Sequence, residues 1–337
     1  EVRVPRPTPV RPRAAQARPA RRSPLWAGVA ALALIATAFA QGDAPADAPE
    51  TAPVPERRLI TIDSSGGTQS GNLRFGPIVY EHPEPDGVVA TVSTLTIRGP
   101  RAELTAPEGE LIARSQGQRE ATFDGGVVVT RGRLTATGAS LRYSEATGLG
   151  VLEGGAEVRI APAAEGDREV VITALQVTFD VDTDTSVSEG DVRLLNGDQA
   201  ARADRLEYEE ERGLGVLSGA ERPEVTRTAE DGGELRIVAD EIRVLTDLAA
   251  LYARGSVDVV DGDVRSQGDE VFYDDEAEVA EVLGDPAIAV DAAAGVRLET
   301  ARVRQDVRFR FVEAMDASLP TPFSADQFLL VREVGGD

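Results

Sequence analysis

The chain has no cysteine among its 337 residues. That excludes a disulfide framework, a thiolate metal site and a lipid-modified N-terminal cysteine. Lysine is absent too, since all 35 basic residues are arginine. Schiff-base and Walker-type lysine chemistry are therefore impossible. The one histidine, His82, lies in Tyr80-Glu81-His82-Pro83-Glu84-Pro85 and reads as a loop residue without a nucleophile or ligand beside it. Aromatics are few: 9 Phe, 5 Tyr and 1 Trp. No residue set qualifies as catalytic, metal-binding or cofactor-binding, so the reading is of a protein that is not an enzyme and carries no cofactor.

Glycine, proline and acids are plentiful. The 33 Gly and 20 Pro punctuate β-branched runs, which predicts short strands rather than long helices. Residues 1–40 hold seven Arg and one acid, leaving 35 − 7 = 28 Arg against 58 − 1 = 57 acids in 41–337. A body this acidic repels nucleic acid and gains solubility from self-repulsion.

Residues 1–24 are Arg- and Pro-rich and read as a basic cytoplasmic or signal n-region. Residues 25–40 form a 16-residue apolar run that ends Ala38-Phe39-Ala40. A membrane span wants about 20 such residues and a signal core about 7–15, so cleaved signal peptide and retained transmembrane anchor both stay open. Either way the basic flank stays inside and everything from 41 on leaves the cytoplasm, for the periplasm or cell envelope. Residues 41–58 read as an Ala/Pro-rich linker, 59–315 as the folded body and 316–337 as an irregular C-terminal tail.

The body repeats. Residues 125–154, GGVVVTRGRLTATGASLRYSEATGLGVLEG, align 65 positions later with GDVRLLNGDQAARADRLEYEEERGLGVLSG. A second shift of 65 brings Gly255, Val257, Gly262, Val271 and Tyr273 into the same columns. Each period holds two similar units, a small residue followed by apolar residues three and five later. They are Gly138-Leu141-Tyr143, Ala174-Val177-Phe179, Ala203-Leu206-Tyr208, Ala239-Ile242-Val244 and Gly268-Val271-Tyr273. A fixed period of this kind marks a stacked array.

Within each block the period is two. Val127/Val192/Val257 and Val129/Leu194/Val259 stay apolar, while the residue between them is Val128, Arg193 or Asp258. One face points inward and one toward water. Arg131-Gly132, Asn196-Gly197 and Asp261-Gly262 then predict tight hairpins with both central residues at positive φ. The expected fold is all-β, an elongated antiparallel jelly-roll or two-sheet array of about 65-residue tandem repeats. Asp306 to Phe311 alternates cleanly and is expected to be a last strand.

Asp180, Asp182 and Asp184 stand on alternate positions, as oxygen ligands for a cation would, but the Gly of a calcium loop is missing and a solvated turn is the plainer reading. Asp204 and Asp269 recur by repeat and read as corner residues rather than catalysts.

Gly-x-Val, a Gly turn, then Ala-Asp-x-Leu-x-Tyr resembles the OstA-like (LptA–LptC) repeat family of periplasmic lipopolysaccharide transport proteins. The matching blocks are Gly190-Asp191-Val192 with Ala203-Asp204-Arg205-Leu206-Glu207-Tyr208, and Gly255-Ser256-Val257 with Gly268-Asp269-Glu270-Val271-Phe272-Tyr273. The resemblance covers about 125–312. It implies a twisted β-jelly-roll whose apolar interior carries acyl chains of lipopolysaccharide or another amphipathic envelope lipid. Partners would be other transport proteins, or a second copy, joined edge to edge by β-augmentation, with the membrane reached through residues 25–40 if uncleaved. The strongly acidic body departs from what a carrier of phosphorylated lipid would present at its groove mouth. The groove-lining candidates are the inward positions Val127, Val129, Leu141, Tyr143, Val177, Phe179, Val192, Leu194, Leu206, Tyr208, Ile242, Val244, Val257, Val259, Val271 and Tyr273. The alternative is an acidic structural scaffold of the envelope, with a filled core and no ligand. The many Val and Ala at inward columns favour a groove.

Overall fold

The computed structural model describes residues 55–63, 65–82, 87–164, 168–228 and 233–334. The basic segment 1–24, the apolar run 25–40 and most of the linker lie outside the described residues. No helix among the described residues is long and apolar enough to cross a membrane.

The first six strands are short: β1 (Thr61–Asp63), β2 (Thr68–Gly71), β3 (Ile78–Glu81), β4 (Val88–Val92), β5 (Leu95–Gly99) and β6 (Arg101–Thr105). Long strands follow as β7 (Glu120–Arg131), β8 (Leu134–Ser144), β9 (Leu149–Ile160) and β10 (Val170–Asp180). The second set is β11 (Thr185–Asn196), β12 (Gln199–Glu209), β13 (Leu214–Ser218), β14 (Glu224–Thr228), β15 (Glu234–Val238) and β16 (Glu241–Leu245). The third is β17 (Ala250–Asp261), β18 (Val264–Asp274), β19 (Val279–Asp291) and β20 (Val296–Asp306), closed by the short β21 (Phe311–Ala314).

β7, β11 and β17 begin at 120, 185 and 250, so the sequence period of 65 is one circuit of four strands. In the middle circuit the third and fourth strands are each broken in two, as β13/β14 and β15/β16. Pro223, which has no N–H to donate, stands at the first break. The N-terminal cap is made of interrupted strands too: β5 and β6 both pair with β7, and β3 and β4 pair with them in turn.

All strands belong to one antiparallel ladder of 21. It becomes two layers because nearly every long strand bends at mid-length. Register shifts fall between Asp124 and Val127, Glu189 and Val192, and Arg254 and Val257, and at matching points of β8, β10 and β18. A β-bulge kinks its strand and increases the local twist. A row of bulges at one level folds the ladder lengthwise, so its inner faces meet in a single apolar cluster running from Ile60 to Val303. The Gly of the Gly-x-Val motif is the bulge residue, with φ of +91° at Gly125, +81° at Gly190 and +78° at Gly255.

Because each strand is bent, its two ends face each other across a seam. One side of the seam is the hairpin row, with the turns at 132–133, 197–198, 262–263 and 292–295 and the described loop residues 161–164 and 168–169. The other is the return row, the turns at 145–148, 181–184, 210–213, 246–249, 275–278 and 307–310.

Two expectations are corrected. The tight hairpins are Gly132-Arg133, Gly197-Asp198 and Gly262-Asp263. Only the glycine has positive φ (+55°, +64° and +56°), so Arg131, Asn196 and Asp261 end strands, and the turns have the Gly-first pattern of type II′. Asp306 to Phe311 is not one strand: Val307–Arg310 turn, with Arg310 at φ +52°, and pairing resumes at Phe311. The C-terminal tail docks on the body. Phe328 and Leu330 pack on the outer face of the sheet with Leu214, Val216, Tyr252 and Phe272.

That C-terminal strap is also held by charge. Buried Arg243 donates to Phe328 O at 2.8 Å and to both Glu333 oxygens at 2.6 and 2.9 Å. Arg212 donates to Gln327 O, and Val331 N to Glu209 Oε1. Before β1, Arg57 and Arg58 are fixed to the body through Asp184 and Asp182.

Candidate functional site

Fifteen of the sixteen inward positions are buried: Val127, Val129, Leu141, Tyr143, Val177, Phe179, Val192, Leu194, Leu206, Tyr208, Ile242, Val257, Val259, Val271 and Tyr273. Val244 is half-buried and packs against the same core. Their neighbours Arg193 and Val128 are exposed and Asp258 half-buried, as strand alternation requires.

The interior is not uniformly filled. Beside the broken strands of the middle circuit lies a cavity of ≈ 330 Å³. That is near the lower end of ligand-site volumes, about 300–1,000 Å³. Four of the inward positions, Leu194, Tyr208, Val244 and Tyr273, contribute to its wall. Val225, Leu235, Ile237 and Leu251 are among the other apolar residues of the lining, and Ala201, opposite Leu194 in the ladder, leaves room. The positions nearer the N-terminus, such as Val129, Leu141 and Phe179, are buried and do not line it. Small side chains alone do not account for this, because Val and Ala are inward throughout. The cavity lies at the seam-side ends of the strands: β12, β14, β15 and β16 and the turn at 246–249 build its wall, and none of the break residues 219–223 or 239–240 lines it.

The mouth opens along the seam, between Arg133, Arg168 and Asp198 of the hairpin row and Asp247, Leu248 and Asp275 of the return row. Leu248 is 65% exposed there. Arg168 pairs with Asp198 along its own row. Other pairs span the seam. Arg131 Nε donates to Glu210 Oε2 at 2.6 Å, and Arg133 Nη2 to Asp247 Oδ2 at 3.1 Å. Arg227, next to the hairpin row, donates to Glu278 Oε1 at 2.8 Å and to the Tyr273 hydroxyl at 3.1 Å. Burial pushes the Glu210 carboxyl above its ordinary range despite the pull of Arg131. Burial likewise raises the Tyr208 and Tyr273 hydroxyls, so both stay protonated donors at the rim.

The repeated tyrosines therefore have two ends: rings in the core, hydroxyls at the seam. Tyr143 donates to Arg58 O at 2.7 Å, and Tyr273 to Asp275 Oδ1 at 3.0 Å. The mouth arginines were not among the sequence candidates. Hydropathy columns are blind to them, although the residue after each hairpin glycine, Arg133, Asp198 or Asp263, is charged in all three copies.

The remaining candidates have structural partners. Asp182 and Asp184 receive Arg58 and Arg57, and Asp180 Oδ1 accepts from Asp182 N, so the three acids do not converge. Asp204 Oδ2 accepts from Glu221 N at 3.0 Å and Asp269 Oδ2 from Asp285 N at 3.3 Å, each tying a bend to the adjacent strand. Among the described residues no group of three or more acids or His is arranged to hold a metal ion.

No family model matches the chain, and no curated protein does. Among solved structures the chain is similar to LptH from Pseudomonas aeruginosa, described as the LptA-homologous periplasmic component of the conserved lipopolysaccharide transport device. The identity is 13%, the match covers 34% of this chain and 82% of that one, and the TM-score is 0.32.

Proposed function

We propose that the protein is an extracytoplasmic carrier or bridge for an amphipathic envelope lipid, of the lipopolysaccharide-transport kind, and not an enzyme. The observation that carries this reading is the cavity: an aliphatic interior open to a charged rim. Such a site suits a molecule with an apolar chain and a polar head. The OstA-like sequence blocks agree with it. The scaffold alternative requires a filled core, and the cavity counts against it.

The lipid's chain would occupy the space bounded by Leu194, Val244 and Ile237. The buried positions Val129, Val177, Val259 and their neighbours would continue the path if the layers part. Edges without a partner strand among the described residues, at β1–β2 and along Val296–Ala301 of β20, would receive a transport partner or a second copy by β-augmentation. The signal or anchor at 25–40 would place the body in the periplasm.

Native mass spectrometry of the protein purified from membranes tests the reading. A bound species with the mass of an envelope lipid, lost on delipidation, is expected. Ligand-free protein from several gentle detergents would favour the scaffold. For location, a reporter fused after Asp337 that is active only in the cytoplasm would contradict export.

A further inference from the structure

The two rows of turns are stapled lengthwise by backbone. On the return row, Thr246 N donates to Gly213 O, Asp275 N to Ala249 O and Val307 N to Glu278 O. On the hairpin row, Ala161 N donates to Arg133 O, Thr228 N to Asp198 O and Ala292 N to Asp263 O. Across the seam the arrangement differs. Among the described residues, the polar contacts between rows are made by side chains: Arg131–Glu210, Arg131 to Asp180 O, Arg133–Asp247, Gln199–Asp275, Arg227–Glu278 and Arg310–Asp261. The rows can therefore part without breaking the ladder.

The most buried of these pairs, Arg131–Glu210, is also incompletely satisfied. Arg131 Nη2 and Glu210 Oε1 are buried without a hydrogen-bond partner, although the two side chains are only 4% and 15% exposed. Buried ions held this way are poor stabilisers, because desolvation offsets their attraction and each unpaired atom adds a cost. Fully apolar contacts would close the seam more firmly. What these charges provide is a closure with polar surfaces ready for water once it opens.

We propose that the seam is a gate latched by Arg131–Glu210, Arg133–Asp247 and Arg227–Glu278, through which an acyl chain passes sideways into the cavity. This rests on the carrier reading above. It adds the route: lateral, between the rows, rather than through an end of the roll. Arg133 and Asp247 stand on either side of the mouth, and Leu248, exposed beside Asp247, offers the first apolar contact to an arriving chain.

The absence of cysteine makes the test clean. In the full chain, R133C and D247C are introduced together and joined by a short thiol–thiol crosslinker. Uptake and release of a fluorescent long-chain fatty acid are then followed by stopped flow. The wild type and the uncrosslinked double variant should take up the probe. The crosslinked protein should take it up many-fold more slowly, and crosslinking after loading should trap the probe. As a second handle, R133D should speed uptake several-fold and R133D/D247R should return it toward wild type. Both residues are about one-third exposed, so folding should tolerate them. Uptake and release at wild-type rates in the crosslinked protein, with R133D also unchanged, would overturn the gate and leave the carrier standing. A probe that binds neither wild type nor any variant would instead remove the carrier reading, and the gate with it.

Discussion

At the scale of single residues, the bend in each strand rests on glycine. A Cβ on Gly190 would stand 2.7 Å from Leu175 Cδ1, on a backbone already at φ +81°. Gly190→Ala should lower stability by about 1–3 kcal/mol, from strain together with the clash. Gly132, at φ +55°, has nothing within 4 Å of its would-be Cβ. Gly132→Ala should cost only the conformational penalty, about 1–2 kcal/mol. Urea midpoints compare the two; an equal loss at both sites would contradict the packing role of the bulge. The inner and outer faces give a sharper contrast. Leu206→Asp buries an unpaired charge and should cost several kcal/mol, whereas Arg193→Asp, on the outer face, should stay within about 0.5 kcal/mol.

The inward columns were legible because an apolar residue recurring every second position has one physical meaning in a strand. Ser186, Ser188 and Arg243 were not legible, though all three are buried. A polar residue becomes buried by finding a partner, as Arg243 does in Glu333 ninety residues away, and no local pattern records that.

At the scale of elements, local alternation misled at Asp306–Phe311. Asp306 Oδ1 accepts from Phe309 N and closes a turn, leaving Phe309 71% exposed. The tail carried no periodicity because the strap is held by two side chains and a few carbonyls rather than by a regular face. Phe328→Ala should remove its main anchor, at a cost of about 3–5 kcal/mol to strap docking. Amide exchange should speed up at Leu330 and Val331 while β7–β10 stay protected. The strap should also respond to acid. Hydrogen bonds from Arg243, against the opposing effect of burial, hold the Glu333 carboxyl down at about 2. A carboxyl depressed in the folded state contributes stability above its unfolded pKa, about 4.3, and loses it as pH falls toward the folded value. Strap protection should therefore be full at neutral pH and fade between those limits. Unchanged exchange at pH 2.5 in wild type would contradict the ion-pair anchor.

At the scale of the whole molecule, one ladder folded along a line of bulges gives a continuous apolar interior with a side opening. Circuit length and face polarity follow from the 65-residue period. The cavity does not: it lies among strand ends and turns at the seam, where no column of the repeat marks it. The acidity of the body is carried by outer faces and turns. The arginines that remain are spent largely on ion pairs, several of them at the seam.

The central claim is that the interior holds an acyl chain, and site-specific photo-crosslinking in cells tests it most directly. A photoreactive residue at Leu194 or Val244, on the cavity wall, should capture lipid. The same residue at Arg193, one position along on the outer face, should not. Lipid adducts of equal yield at Leu194 and Arg193, or none at either cavity position, would contradict the account.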